Sequence, residues 1–197
     1  MNAIYPKVLV KPVQYTEIIR KSTFTAIIGR ADTPEQAREF IDCHSVTEAT
    51  HNCWAYYIGG IYRFHDDGEP RGTAGKPILT AIQGQSFDCT VALVIRFFGG
   101  TKLGVGGLAR AYGGVVSHAL HNAPCECLIP QCTVTFQVPF EYAQRVYRAA
   151  HRYQAVHRQE NYTSTGVKQT WKLPVSERAD FVTTITNLTR GQAVFEQ

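Results

Sequence analysis

No stretch of this 197-residue chain approaches the roughly eighteen apolar residues that a membrane-spanning helix needs, which excludes such a helix. The opening segment, MNAIYPKVLVKPVQYTEIIRKS, lacks a long apolar core followed by a small-residue cleavage site. No secretory signal is therefore expected, and the expected location is the cytoplasm. Neither C-x-x-C nor a zinc-finger histidine spacing occurs. The six cysteines (Cys43, Cys53, Cys89, Cys125, Cys127 and Cys132) are then expected to be reduced thiols, and no metal or other cofactor is expected. Gly-Lys-Ser/Thr is missing, which excludes a Walker phosphate loop. No serine stands in a G-x-S-x-G context and no cysteine in a catalytic signature, which weighs against an enzyme without removing the possibility. Internal repeats and low-complexity segments are absent. Charge is sparse: 20 Lys and Arg against 16 Asp and Glu give a net +4, mild enough to suit an acidic or nucleic-acid partner but far from a basic tail.

What is present is material for a core, 44% hydrophobic residues in a length that suits one large or two small domains. TEIIRKSTFTAIIGRA reads as a strand or hairpin arm. DTPEQAREFIDCHS reads as a helix with Thr33 as N-cap, Pro34 in its first position, Gln36 closing a capping box, and Ala37, Phe40 and Ile41 on its apolar face. ATHNCWAYYIGGIYRF predicts two strands around a Gly59-Gly60 turn. KPILTAIQGQ predicts a short helix with Pro77 near its start and Gly84 as its stop. DCTVALVIRFF is apolar on both faces and is expected at the centre of a sheet. GGTKLGVGG is expected to be a glycine-rich turn. The helix after it carries Leu108, Ala111, Tyr112, Val115, Ala119 and either His118 or Leu120 at helical spacing. The prolines of PCECLIPQ suggest a boundary between domains at 1–128 and 132–197. The second of these reads strand, helix, strand, strand, helix, strand, the ferredoxin-like order, and the fold class is α+β.

Two segments carry candidate chemistry. In HDDGEPRGTAGKP, Asp66, Asp67 and Glu69 match no calcium loop, and clustered Asp, Gly and Pro make good turn chemistry. Structure or recognition is favoured over catalysis there. In RFFGGTKLGVGGLAR, a strand runs through glycines into a helix, a geometry that can present backbone N–H groups to a phosphate. GVGGLA matches the dinucleotide fingerprint only loosely. Two alternatives stand: glycines for close helix packing, or an anion or RNA-backbone site using Arg96, Lys102 and Arg110. The candidate groove joins the two segments: Asp66, Asp67, Glu69, Arg71, Thr73 and Lys76 on one side, with Arg96, Gly99, Gly100, Lys102, Gly104, Gly106, Gly107 and Arg110 on the other. His51 and Cys53 are expected on one strand face as a half-buried histidine and a core cysteine rather than as zinc ligands.

IIRKSTF, HNCWAY, DDGEPRGTAGKPIL and VIRFFGGTKLGVGGLARAYG resemble the YigZ/Impact family, most closely its bacterial two-domain form, over almost the whole chain. The resemblance implies an N-terminal domain folded like the second domain of a ribosomal small-subunit protein and like GHMP kinases, and a C-terminal ferredoxin-like domain resembling the last domain of elongation factor G. Where the family commonly has a small residue, this chain has Arg71. Eukaryotic Impact proteins regulate translation by binding the activator of a starvation-sensing kinase. The implied function is therefore non-enzymatic binding linked to translation, with RNA, the ribosome or a translation-related protein as partner. The alternative is an enzyme or a small-molecule or phosphate binder using the cleft. Aromatic residues of the C-terminal sheet are expected to supply base stacking in the RNA case.

Overall fold

The computed structural model describes residues 5–196, an α+β chain of two units, Met1–Leu128 and Ile129–Gln197. The first runs β1 (Lys7–Leu9), β2 (Val13–Ile19), β3 (Ser22–Arg30), α1 (Pro34–His44), β4 (His51–Ile58), β5 (Ile61–His65), α2 (Gly75–Gly84), β6 (Thr90–Phe97), α3 (Val105–His121) and β7 (Cys125–Cys127). Five strands pair antiparallel in the order β2-β3-β6-β4-β5, and β1 pairs with β7 in a separate ribbon. The both-sided apolar strand is indeed central. Because side chains alternate along a strand, Val91, Leu93 and Ile95 meet Ala37 and Ile41 of α1, while Ala92 and Val94 meet α2 and α3 on the opposite face. Arg96 continues the parity of Ala92 and Val94, so a cation ends the row on the face that α2 and α3 cover.

Several local expectations need correction. Thr33 caps α1 by accepting the Gln36 N–H at 3.3 Å, but Gln36 reaches back to the Asp32 N–H (2.8 Å), one residue before the position a capping box uses. Helix α2 begins at Gly75, ahead of Pro77, and α3 at Val105. Gly106 and Gly107 therefore lie in the first turn of α3 rather than in a loop, with Gly104 as N-cap at φ +74°. Leu120, not His118, turns inward. The segment in which the domain boundary was expected also contributes β7, three residues being too short for a periodic signal. Among the described residues, no helix is long and apolar enough to cross a membrane.

The second unit runs β8 (Gln131–Val138), α4 (Phe140–Ala150), a 3-10 turn (His151–Tyr153), β9 (Val156–Tyr162), β10 (Val167–Pro174), a second 3-10 turn (Val175–Glu177), α5 (Arg178–Leu188) and β11 (Val194–Phe195). Its antiparallel sheet has the order β11-β8-β10-β9. Val134, Phe136, Val138, Trp171 and Leu173 pack against Tyr142, Val146, Phe181 and Ile185 of the two helices. The same parity narrows the stacking expectation to the edge strand, where Tyr162 of β9 is exposed. Phe136 and Trp171 are buried beneath the helices, and the opposite face of β8 and β10 carries Thr133, Thr135, Gln137, Lys168, Thr170 and Lys172.

Candidate functional site

The end of β6 is where the first unit places its polar groups inside. In the sheet, Arg96 is flanked by Phe24 of β3 and His51 of β4. All three share the face covered by α2 and α3. Arg96 retains only 6% of its side-chain exposure, and a buried guanidinium requires a partner. The partner is Glu69, 3% exposed, whose Oε1 accepts from Arg96 Nη1 and also from the Tyr112 hydroxyl of α3 at 2.8 Å. Arg96 Nη2 adds a long bond to Ser22 Oγ (3.4 Å), and its Cζ lies 5.2 Å and 5.5 Å from the ring centroids of Phe24 and Phe98, within cation–π range.

Glu69 reaches this position because the DDGEP loop is held at both ends. Asp67 and Gly68 adopt φ of +42° and +81°, and the Glu69 N–H closes the turn on the Asp66 carbonyl (3.0 Å). The Asp66 carboxylate accepts from the N–H groups of Gly72 (2.8 Å), Ala74 (3.1 Å) and Gly75 (2.8 Å), capping α2 from within the loop. The Asp67 carboxylate takes the Asn52 N–H at 2.6 Å, and the Thr73 hydroxyl donates to the Pro70 carbonyl at 2.6 Å. Burial alone would raise the Asp66 carboxyl, but the Gly72, Gly75 and Ala74 N–H groups, with a contribution from His65, outweigh it and hold the group below its ordinary value. Its stabilisation is thus full above about pH 3.9, the usual aspartate value, and is lost as pH falls through the lower folded value. The stability gap between the wild type and Asp66→Asn should shrink as urea midpoints are followed from pH 6 to pH 2. A gap that does not change with pH would refute this role for the carboxylate.

His51 completes the floor. Its Nδ1 lies 2.7 Å from the Asp67 carbonyl, which can only accept, so Nδ1 carries a proton and Nε2 is turned towards Glu69 at 3.8 Å. Behind it, the Cys53 thiol lies 2.9 Å from the Asp66 carbonyl and 3.4 Å from the Tyr112 hydroxyl. Burial pushes that thiol up to about 12; the Tyr112 hydroxyl opposes this, and the charges of Glu69, Asp67 and Asp66 add to it. Burial likewise raises Tyr112, reinforced by Cys53 and Glu69. Burial thus favours the thiol over the thiolate at Cys53, the less reactive form.

Above this floor lies a cavity of about 470 Å³, lined by Thr50, His51, Glu69, Pro70, Arg96, Phe98, Lys102, Leu103, Gly104, Val105 and Leu108. Of the sequence-derived candidates, Glu69, Arg96, Lys102 and Gly104 meet here. Asp66, Asp67 and Thr73 shape the loop instead. Arg71 is exposed beside it. Lys76 lines a different hollow, between α2 and α3, and Gly107 and Arg110 line a third, beside Glu17, Arg20 and His118. Gly106 is exposed on the first turn of α3, Gly100 takes φ +85°, and Gly99 lies tight against the β2–β3 turn. Arg96 is corrected from a surface cation to a buried, paired one. Tyr112 and Phe98 also meet here and were not among the candidates, whereas His51 is half-buried beside the core Cys53, as expected. Its strand parity with Cys53 and Ala55, both in the core, is what placed it.

Residues 20–120 match the Impact N-terminal domain. An IMPACT family member from Thermus thermophilus is 44% identical over 179 residues, covering 89% of this chain and 97% of that protein. The IMPACT family member YigZ of Escherichia coli is 37% identical over 136 residues, covering 66% of this chain and 67% of YigZ. A crystal structure described as that of a hypothetical protein aligns with a TM-score of 0.63 at 29% identity, covering 98% of this chain and 97% of the other. The chain belongs to the YigZ/Impact family.

Proposed function

We propose that this protein is a non-enzymatic regulatory binding protein whose N-terminal unit holds a ligand in the cleft between the DDGEP loop and residues 102–108. The cleft carries the reading. Its walls are apolar, from Pro70, Phe98, Leu103, Val105 and Leu108, and its floor is a bonded set of charged and polar groups. Ligand sites combine these two features, a largely apolar enclosure and a few fixed polar groups. The nearest thiol, Cys53, is fully buried and does not line the cleft, so it offers the cleft no cysteine nucleophile. A link to translation rests on the family resemblance and on fold-level analogy. On the same grounds the second unit is read as ferredoxin-like, akin to the last domain of elongation factor G, and the first as akin to the second domain of a ribosomal small-subunit protein. A cytoplasmic setting belongs to this reading.

The test is a thermal-shift panel of metabolites, peptides and nucleotides on the wild type and on Val105→Trp, which fills the cleft mouth. Saturable stabilisation of the wild type that is lost in the variant is expected; a flat response across the panel counts against the cleft. One observation favours a second reading, ribosome or RNA association: Arg145, Arg148 and Arg152 form an exposed basic row along α4 and the turn after it. Contacts of this kind go to phosphates and need no stacking. Co-sedimentation with ribosomes that weakens with salt and with Arg145→Glu/Arg148→Glu supports it, and salt-independent or absent association removes it.

A further inference from the structure

Three observations at the cleft bear on what it takes. Helix α3 opens into the cavity at Gly104 and Val105. Its first-turn N–H groups have no partner within the helix, and a glycine N-cap has no side chain to accept them. Lys102 stands on the same rim, exposed and in no salt bridge among the described residues. Arg96 lines the cavity wall nine-tenths buried, and its Nε has no hydrogen-bond partner among the described residues. The one acid in the lining, Glu69, is already bonded to Arg96 and Tyr112, so its charge is offset. The cleft therefore has an excess of donors at one end and apolar surface, from Phe98, Pro70, Leu103 and Val105, over the rest.

We infer that the cleft takes a small molecule with an acidic head, a carboxylate or a phosphate, and an apolar body. The head sits between the Lys102 ammonium and the first turn of α3, with the unpartnered Arg96 Nε–H beneath it and the Arg96 charge balanced by Glu69. The body lies along Phe98 and Pro70. An oxyanion at a helix N-terminus beside a lysine is favoured by the aligned peptide dipoles and by charge-assisted hydrogen bonds. This inference rests on the cleft being the binding site, as proposed above.

Calorimetric titration of the full chain with phenyl phosphate, phenylacetate, 2-phenylethanol, phenethylamine and inorganic phosphate tests it. The two aromatic anions are expected to bind at least tenfold more tightly than 2-phenylethanol and than inorganic phosphate. Lys102→Ala should weaken the anions severalfold and leave 2-phenylethanol unchanged. Val105→Glu puts a carboxylate at the first position of α3, where it suits the helix dipole; it should preserve or raise the melting temperature while abolishing anion binding. Neutral or cationic probes binding as tightly as the anions, or anions indifferent to both substitutions, would overturn the acidic-head inference and leave the cleft as a binding site. Inorganic phosphate binding as tightly as phenyl phosphate would overturn the apolar body. Binding by none of the five probes overturns this inference, and the cleft itself then falls only if the broader panel is also flat.

Discussion

Glu69→Ala is expected to destabilise the N-terminal unit by about 3–5 kcal/mol, the range for removing one partner of a buried ion pair. Both members are almost fully enclosed. Without the carboxylate, the Arg96 guanidinium keeps only the 3.4 Å bond to Ser22 and its cation–π contacts with Phe24 and Phe98, and the Tyr112 hydroxyl loses its acceptor inside the core. A buried charge without a partner is costly because the surrounding side chains cannot replace water. Set against a typical domain stability of about 5–15 kcal/mol, such a loss is a large share of the total. Urea unfolding measures it. Glu69→Gln retains an acceptor for Tyr112 but not the charge and should fall between the two. Glu69→Leu/Arg96→Met replaces the whole pair with apolar side chains and should recover most of the stability. The double variant would also separate roles, because it should fold and keep the cleft's preference for anions, which Lys102 and the first turn of α3 still supply. A loss below about 1 kcal/mol for Glu69→Ala would mean that the pair is not sealed from water.

Gly99→Ala should cost at least the upper part of the roughly 1–3 kcal/mol seen for overpacked sites. A Cβ at this position would stand 1.8 Å from the Lys21 carbonyl oxygen, 2.1 Å from its carbon and 2.6 Å from the Ser22 nitrogen. These are backbone atoms, so no rotamer change relieves the overlap, and the end of β6 must move away from the β2–β3 turn. That movement would break the 3.1 Å bond from the Gly99 N–H to Ser22 Oγ, which also contacts Arg96. Gly84→Ala is the control: nothing lies within 4 Å of its Cβ, it ends α2, and its φ is not positive. It should be neutral or stabilising by up to about 1 kcal/mol. Melting curves of the two variants side by side decide the matter, and equal midpoints would show that the close approach at Gly99 is not there.

Much of the fold was legible in the chain because its causes are local. The Thr33 cap of α1, the Pro77 and Gly84 near the ends of α2, the Gly59-Gly60 hairpin, and the two-faced apolar run of β6 each act within a few residues. The misses had non-local causes. A glycine-rich run was read as a loop where Gly106 and Gly107 open α3, because glycine weakens the helical signal without forbidding a helix held by tertiary packing. Strand β7 is fixed by its partner β1 rather than by any pattern of its own.

The candidate site was legible only in part. The two segments that wall the cleft stood out by composition, yet most of their conspicuous residues serve the backbone or face other hollows. The sequence by itself determined the elements, the parity that buries Arg96 and His51 on one face, and the family. The tertiary structure decided that Arg96 meets Glu69 across 27 residues, that Tyr112 meets it across 43, and that α3 opens into the same cavity. Periodicity records which side of a strand or helix is buried. It carries no information on which remote side chain waits there, because that depends on how α2 and α3 lie across the sheet and on how one loop folds back beneath them.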